Sequence, residues 1–343
     1  MTEWGATHRK GRGQGRKPAG QGASESRRAA GLRQAGGASA GRGRGGGGPA
    51  VPGNADERRR VWGQNFFKSG TAVRRFTSQI DVVEGLPIVE VGPGSGMITK
   101  ELARRGEPLT VVEIDGHWAE LLAKELPAHV TMVNQDFLSW RPDAEHFRIV
   151  GNLPFGASTD ILRTCLGYGP HRFVEGVFLL QLEFARKRAG AWGGNLFNAQ
   201  WSPWFTFHLG LEFPRHCFRP VPKTDTATLF VDPRRDPLVP WRDRTAYQEL
   251  VGAVFNTGQL TIGEAARRVN VRKPADWLRR AEVFPETRVK DLDAGDWAAL
   301  FAAHQPARPH TGAGGRPGGG RPQGGRGGRP SPGGGPPRQQ RGR

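Results

Sequence analysis

Between residues 87 and 152, four short runs rich in β-branched residues alternate with amphipathic helical stretches, and this alternation limits the fold more than any other feature of the chain. "PIVEVG" leads through a glycine turn into a helix from Ile98 to Arg105. "LTVVEID" leads into "GHWAELLAKEL"; "VTMVNQD" and "FRIVGNLP" supply two further strands. Apolar strands alternating with amphipathic helices build a mostly parallel, doubly wound α/β sheet. "VEGVFLLQLEFARKRAG" starts as a strand and ends as a helix, and "TATLFVDP" is a late strand. The stretch before the sheet, "VWGQNFFKSGTAVRRFTSQI", carries Val73, Phe76 and Ile80 at helical spacing.

Past Pro233 the pattern changes. "TAYQELVGAVF", "TIGEAARRV", "ADWLRRAEVF" and "DWAALFAAH" have helical spacing and no strands. Trp297, Leu300 and Phe301 fall on one face of the last, with Asp296 as its expected N-cap. Four segments follow: a tail at 1–56, a sheet domain at 57–233, a small helical domain at 234–304 and a tail at 305–343. The tails are Gly-, Arg- and Pro-rich and lack the apolar content to offset ordering entropy, so both are expected to be disordered.

Charge follows the same division. Of the net +18, residues 1–60 carry +9 and residues 305–343 carry +8, leaving +1 for the middle. Arginine-glycine arms suit RNA through phosphate contacts and stacking, while a purely solubilising role is the plain alternative. Cys165 and Cys217 fit neither a metal spacing nor a disulfide framework and are expected as buried, inert thiols. The nine histidines form no ligand pattern, so no metal is expected. No apolar run reaches the ~18 residues that a membrane span needs, and the N-terminus lacks the apolar core of a signal peptide. A soluble cytoplasmic monomer is expected.

The chemistry gathers at one edge of the sheet. In "VEVGPGSGMITKEL", Gly92, Gly94 and Gly96 let a ligand approach the backbone where strand 1 ends, and Glu90 precedes them. Met97 stands where a dinucleotide fingerprint would need glycine. Glu113 ends the second strand, 21 residues after Gly92, where a carboxylate can accept from both hydroxyls of a ribose. Asp115 suits an N-cap. Asp136, after the third strand, can accept from an adenine amino group. Asn152 ends the fourth. Together they outline a pocket for an adenosine without a polyphosphate, and S-adenosylmethionine fits it.

"NLPF" at 152–155 lies beside that pocket. The amide oxygen of Asn152 and the backbone carbonyl of Leu153 can both accept from a planar NH2 group, and Phe155 can stack on its base. Two acceptors holding those protons would localise a lone pair otherwise delocalised into the ring. No strong general base is then needed.

On these residues the sequence resembles the rRNA adenine N6-methyltransferases, most closely the erythromycin-resistance branch, over roughly residues 58–300. "GQNFF" at 63–67 is similar to the family's N-terminal Q-N-F motif, which implies cofactor contacts at Asn65 and Phe67. "EVGPGSGMIT" resembles the cofactor glycine loop, "EID" the ribose acid, "NQDF" the adenine acid and "NLPF" the catalytic tetrapeptide. "LLQLEFARKRAG" resembles the segment that supplies a second aromatic near the target base, here Phe184, for which a core position is the alternative. "FRPVPKTDTATL" resembles an F-x-P-x-P-x-V-D segment, with Thr224 where valine is usual. The resemblance implies a Rossmann-like, S-adenosylmethionine-dependent methyltransferase sheet. It also implies a helical domain that helps hold RNA, and mono- or dimethylation of one adenine in protein-free or nascent 23S rRNA. Resistance to macrolides, lincosamides and streptogramin B would follow.

"ARKR" at 185–188 is the densest basic cluster of the middle region and suits RNA phosphates, with a solvated face as the alternative. Trp201 and Trp204 fit either a core or an RNA surface. Three rivals carry weight. One is the small-subunit rRNA dimethyladenosine transferases. Another is DNA adenine methyltransferases, which usually carry aspartate in place of Asn152. The third is a non-catalytic RNA-binding factor.

Overall fold

In the computed structural model, residues 65–190, 193–269 and 271–304 are described; both tails, and Gly63 and Gln64 of the first motif, lie outside the described residues. The sequence-ordered elements are β1 (Phe66–Phe67), α1 (Gly70–Thr77), β2 (Ile88–Val91), α2 (Met97–Ala103), β3 (Leu109–Glu113), α3 (Gly116–Ala123) and β4 (Val130–Asn134). Then come β5 (Phe147–Asn152), α4 (Ser158–Gly167), β6 (Phe173–Gln181), α5 (Leu182–Arg188), α6 (Leu196–Trp201), β7 (Phe205–Phe213), β8 (Phe218–Arg219) and β9 (Thr226–Pro233). The helices α7 (Arg244–Asn256), α8 (Ile262–Ala266), α9 (Pro274–Arg280) and α10 (Ala294–His304) complete the chain.

Seven strands form one sheet in the order β4-β3-β2-β5-β6-β9-β7, parallel from β4 to β6 and antiparallel across β9 and β7. Every residue of β2 is buried, as are the first five of β5. Strands covered by helices on both faces read as continuous apolar runs, which is why these two stand out in the sequence. The order reverses at β2, whose neighbours are β3 on one side and β5 on the other. Open α/β sheets bind ligands at such a switch point, beyond the carboxyl ends of the strands.

Two elements depart from expectation. The stretch before the sheet is not helical from its start: Phe66 and Phe67 pair with Arg219 and Phe218 as a two-stranded ribbon. The helix begins only where the Ser69 side chain accepts from the Ala72 amide, and Ile80 lies beyond it while remaining buried. At the other end, Asp293 rather than Asp296 opens α10: the Asp296 amide donates to Asp293 Oδ1, and Asp296 Oδ2 accepts in return from the Asp293 amide. The reciprocal pair meets two of the donors that a helix start leaves open.

The C-terminal helices share a core with the sheet. Trp204 is fully buried, its indole N–H donates to the Val239 carbonyl at 2.6 Å, and its ring meets Tyr247 at 5.2 Å. Tyr247 in turn donates to the Ala199 carbonyl and packs edge-on against Phe301 of α10. Trp201 is also buried, so both tryptophans are core residues. Burying a large aromatic is worth about 1.5–3 kcal/mol, and satisfying its polar atom avoids a penalty of similar size. Cys165 is a buried free thiol, as expected; Cys217 is only half-buried, because it lies in the short turn before β8. Among the described residues no helix is long and apolar enough to cross a membrane.

Candidate active site

A solvent-open cleft lies at the switch point. Its lining includes Asn65, Phe67, Gly92, Glu113, Asn152, Leu153 and Phe155, seven residues anticipated from the sequence. Asp136 and Phe184 are not among its lining residues. Asp136 Oδ1 accepts from the Leu138 amide and so organises the turn that follows β4.

Three left-handed glycines shape the floor. Gly92, Gly94 and Gly96 have φ of 64°, 53° and 75°, a region that side chains with a Cβ avoid. A Cβ on Gly94 would stand 2.2 Å from the Phe66 ring, and one on Gly96 would stand 2.2 Å from Leu122. The Gly92 position faces open space, so the backbone there is bare toward the cleft. The turn is clamped from beneath by Glu113, whose Oε2 accepts from the Gly94 amide and whose Oε1 accepts from the Asp115 amide, each at 2.9 Å. Each carboxylate oxygen has a second lone pair, which leaves acceptor capacity for a diol. Burial pushes the Glu113 carboxyl up, while the two amides pull it back. Asp115 caps α3 by accepting from the His117 amide, as its position suggested.

Asn152 ends β5 opposite Leu179 of β6. Its Nδ2 donates to the Asn65 carbonyl at 2.6 Å. Because only the NH2 end can donate to a carbonyl, this bond fixes which way the amide faces and leaves Oδ1 as an acceptor. Pro154 then stops the strand. Its carbonyl accepts from the Ser158 hydroxyl and the Ala157 amide, closing a tight turn that holds Phe155 at the cleft edge.

Glu90 is fully buried beneath the glycine turn, and its Oε2 has no hydrogen-bond partner among the described residues. Burial pushes its carboxyl up to about 8; Thr99 lowers it and Glu113 adds to the rise. An acid raised from 4.5 to about 8 stays neutral in the fold while the unfolded chain ionises. The ligand-free fold therefore loses stability as pH climbs through that window, and the loss is complete above it. Glu90→Gln is expected to raise the urea midpoint at pH 8.5 and to leave it nearly unchanged at pH 4. An equal shift at both pH values would assign the effect to packing instead.

The structure also resolves what lines and supports the site beyond the sequence reading. Phe66 rather than Phe67 is the half-exposed wall, since Phe67 is buried and stacked on Phe218 at 4.8 Å. Gly151 lies where a Cβ would come within 2.7 Å of the Val91 carbonyl, so it lets β2 and β5 meet closely at the switch point. A glycine just before the terminal asparagine was the only sequence signal for it. The basic cluster at 185–188 is largely committed to the protein. Arg186 pairs with Glu183 and Glu212, and Arg188 is buried between the rings of Phe184 at 4.5 Å and Phe197 at 4.1 Å. Burial pushes the Arg188 guanidinium down to about 10. Lys187 alone of the three is an exposed cation without an ion pair among the described residues. Phe184, half-buried under Arg188, packs against the core.

The residues fit S-adenosylmethionine: a bare glycine turn, a carboxylate with spare acceptor capacity, and a buried acid oxygen without a donor share one switch point. Comparison with known proteins agrees. A family model described as ribosomal RNA adenine dimethylase matches residues 55–305. An rRNA adenine N-6-methyltransferase of Corynebacterium diphtheriae is 41% identical over 238 residues, covering 68% of this chain and 93% of its own. The mycinamicin-resistance protein MyrB of Micromonospora griseorubida is 33% identical over 259 residues, covering 75% and 81%. The crystal structure of the 23S rRNA methyltransferase ErmE superposes with a TM-score of 0.60 at 30% identity, covering 70% of this chain and 99% of that one.

Proposed function

The chain belongs to the ribosomal RNA adenine dimethylase family, and from that premise we propose that it methylates N6 of one adenine in 23S rRNA and so confers resistance to macrolides, lincosamides and streptogramin B. S-adenosylmethionine is the cofactor and supplies an electrophilic methyl group on a sulfonium. The observation that carries the reading is the Asn152 amide, fixed by Asn65 with its oxygen left to accept.

The residues divide the work. Glu113 holds the ribose, the Gly92 turn lets the donor lie against the backbone, and Asn65 and Phe66 close the near wall, with Phe67 supporting them from its stack on Phe218. Asp136, two residues past β4 and outside the cleft lining, is assigned to the adenine amino group of the cofactor through the carboxylate oxygen that the Leu138 amide does not use. Asn152 Oδ1 and the Leu153 carbonyl accept the two N6 protons of the target base, while Phe155 supports the ring from the cleft edge. Holding both protons turns the N6 lone pair out of conjugation and toward the methyl group. Held there, the cofactor would supply the methyl group and leave as the thioether, and N6 would shed one proton to water. Alignment of this kind is worth up to about 7–11 kcal/mol. An adenine inside a helix could not reach Asn152, so the target base leaves its stack.

The sheet and the helices after Pro233 are proposed as catalytic and RNA-holding parts of one monomer, and the Arg/Gly tails as arms that attract the polyanion. Tritiated methyl transfer to protein-free 23S and 16S transcripts, mapped by primer-extension stops, tests the reading. Label is expected in 23S at one adenine, with a flatter salt dependence when residues 1–56 and 305–343 are removed. Label confined to 16S would reassign the chain to small-subunit methylation, and cofactor binding without any transfer would favour a non-catalytic factor.

A further inference from the structure

The ribbon of β1 and β8 places one unassigned cation at the mouth of the cleft. In this antiparallel pair Phe66 lies opposite Arg219, and Phe67 opposite Phe218. Directly opposed residues project to the same side, and successive residues alternate. Phe67 and Phe218 are both buried and stacked, so theirs is the core side. Phe66 and Arg219 therefore share the other side, where the Phe66 ring walls the cleft against Gly94. Arg219 is exposed and makes no ion pair among the described residues. Three further exposed cations, Lys68, Arg215 and Lys223, sit on the same two segments. The single acid between residues 214 and 225 is Asp225, whose Oδ1 already accepts from the Arg215 amide.

We propose that Arg219 binds a phosphodiester of the RNA next to the flipped adenine, with Lys68, Arg215 and Lys223 extending the track along the ribbon. The proposal rests on the RNA reading above. A base inserted as far as Asn152 must leave its own backbone at the rim, and β1 forms that rim. Asn65, immediately before β1, supplies the carbonyl that orients Asn152, so a strand gripped here is registered against the catalytic amide. The ligand chemistry is an oxyanion; the carboxylate of the cofactor is its other source nearby, and the experiment separates the two.

Full-length Arg219→Ala and Arg219→Lys should be compared with the wild type for binding to a 23S rRNA transcript across salt, for KM of that RNA, and for cofactor Kd by calorimetry. Arg219→Ala is expected to weaken RNA binding several-fold and to lower the slope of log K against log salt by about one. The KM for RNA rises with it, the cofactor Kd stays within about twofold, and Arg219→Lys recovers most of the slope because a phosphate contact needs mainly the charge. An unchanged slope overturns the proposal. A weakened cofactor Kd with the salt slope intact overturns it in favour of the cofactor carboxylate. If the wild-type protein methylates RNA while these variants behave like it, the inference alone fails; if the wild type neither binds nor methylates any RNA, the proposed function falls with it.

Discussion

Asn152→Ala is expected to keep the fold and to lose methyl transfer by at least about a hundredfold, the scale of removing one preorganised polar group from an active site. The structural cost is small. Asn152 is half-buried, and among the described residues its side chain donates from Nδ2 to the Asn65 carbonyl, a contact worth about 1 kcal/mol. The catalytic cost is large, because the substitution deletes Oδ1, the acceptor that turns the N6 lone pair out of the ring. Asn152→Asp sharpens the test. It keeps the size and the acceptor, yet a carboxylate cannot donate to the Asn65 carbonyl, so it faces that oxygen with a like charge and swings away. Both variants should lose single-turnover rate on saturating 23S transcript, keep the circular-dichroism melt within a few degrees, and bind cofactor much as the wild type does. A wild-type rate in Asn152→Ala with the fold intact would remove Asn152 from the chemistry.

That the sequence pointed to Asn152 at all reflects how local its signal is. β2, β3, β4 and β5 are short apolar runs whose ends can be read from the turn residues that follow, and their ends hold Gly92, Glu113 and Asn152. The late strand at Thr226–Pro233 was equally plain, being buried along most of its length. What escaped depends on partners distant in the chain. β1 has only two residues and becomes a strand by pairing with β8, about 150 positions later, which no periodicity announces. β7 lies at the edge of the sheet with its middle exposed and its register broken between Leu209 and Glu212, so its alternation is blurred. The basic run at 185–188 looked like a phosphate surface because sequence gives charge without its counter-partners. Phe197 and Glu212, which engage Arg188 and Arg186, come from other elements. Arg219 was hidden for the converse reason: only the ribbon register sets it beside Phe66.

The same strand that ends in Asn152 carries, at its second position, the residue whose loss should cost the fold most. Arg148 is 1% exposed, and its Nη2 pairs with Glu107 at 2.8 Å, itself 6% exposed. Its guanidinium also donates to the carbonyls of Asp81 and Leu86, and Glu107 accepts from the Val83 amide. The pair thus ties the exposed 81–86 connection, between α1 and β2, to the end of the sheet remote from the cleft. Arg148→Ala leaves Glu107 buried without its counter-charge and two carbonyls without donors, a loss of about 3–5 kcal/mol. For a folded region of this size that corresponds to a melting temperature about 10 °C lower. Hydrogen exchange should locate the first opening at residues 81–86. Replacing both charges, as Arg148→Met with Glu107→Leu, removes the buried carboxylate and leaves only the more exposed Glu175, 4.0 Å from Arg148, without its partner, so it should recover much of the lost stability, since desolvating such a pair offsets most of its attraction. The pair lies at the opposite end of β5 from Asn152, so whatever protein remains folded at low temperature should still transfer methyl groups. A melt lowered by less than about 3 °C in Arg148→Ala would mean that water reaches Glu107 and the pair is far less confined than its burial implies.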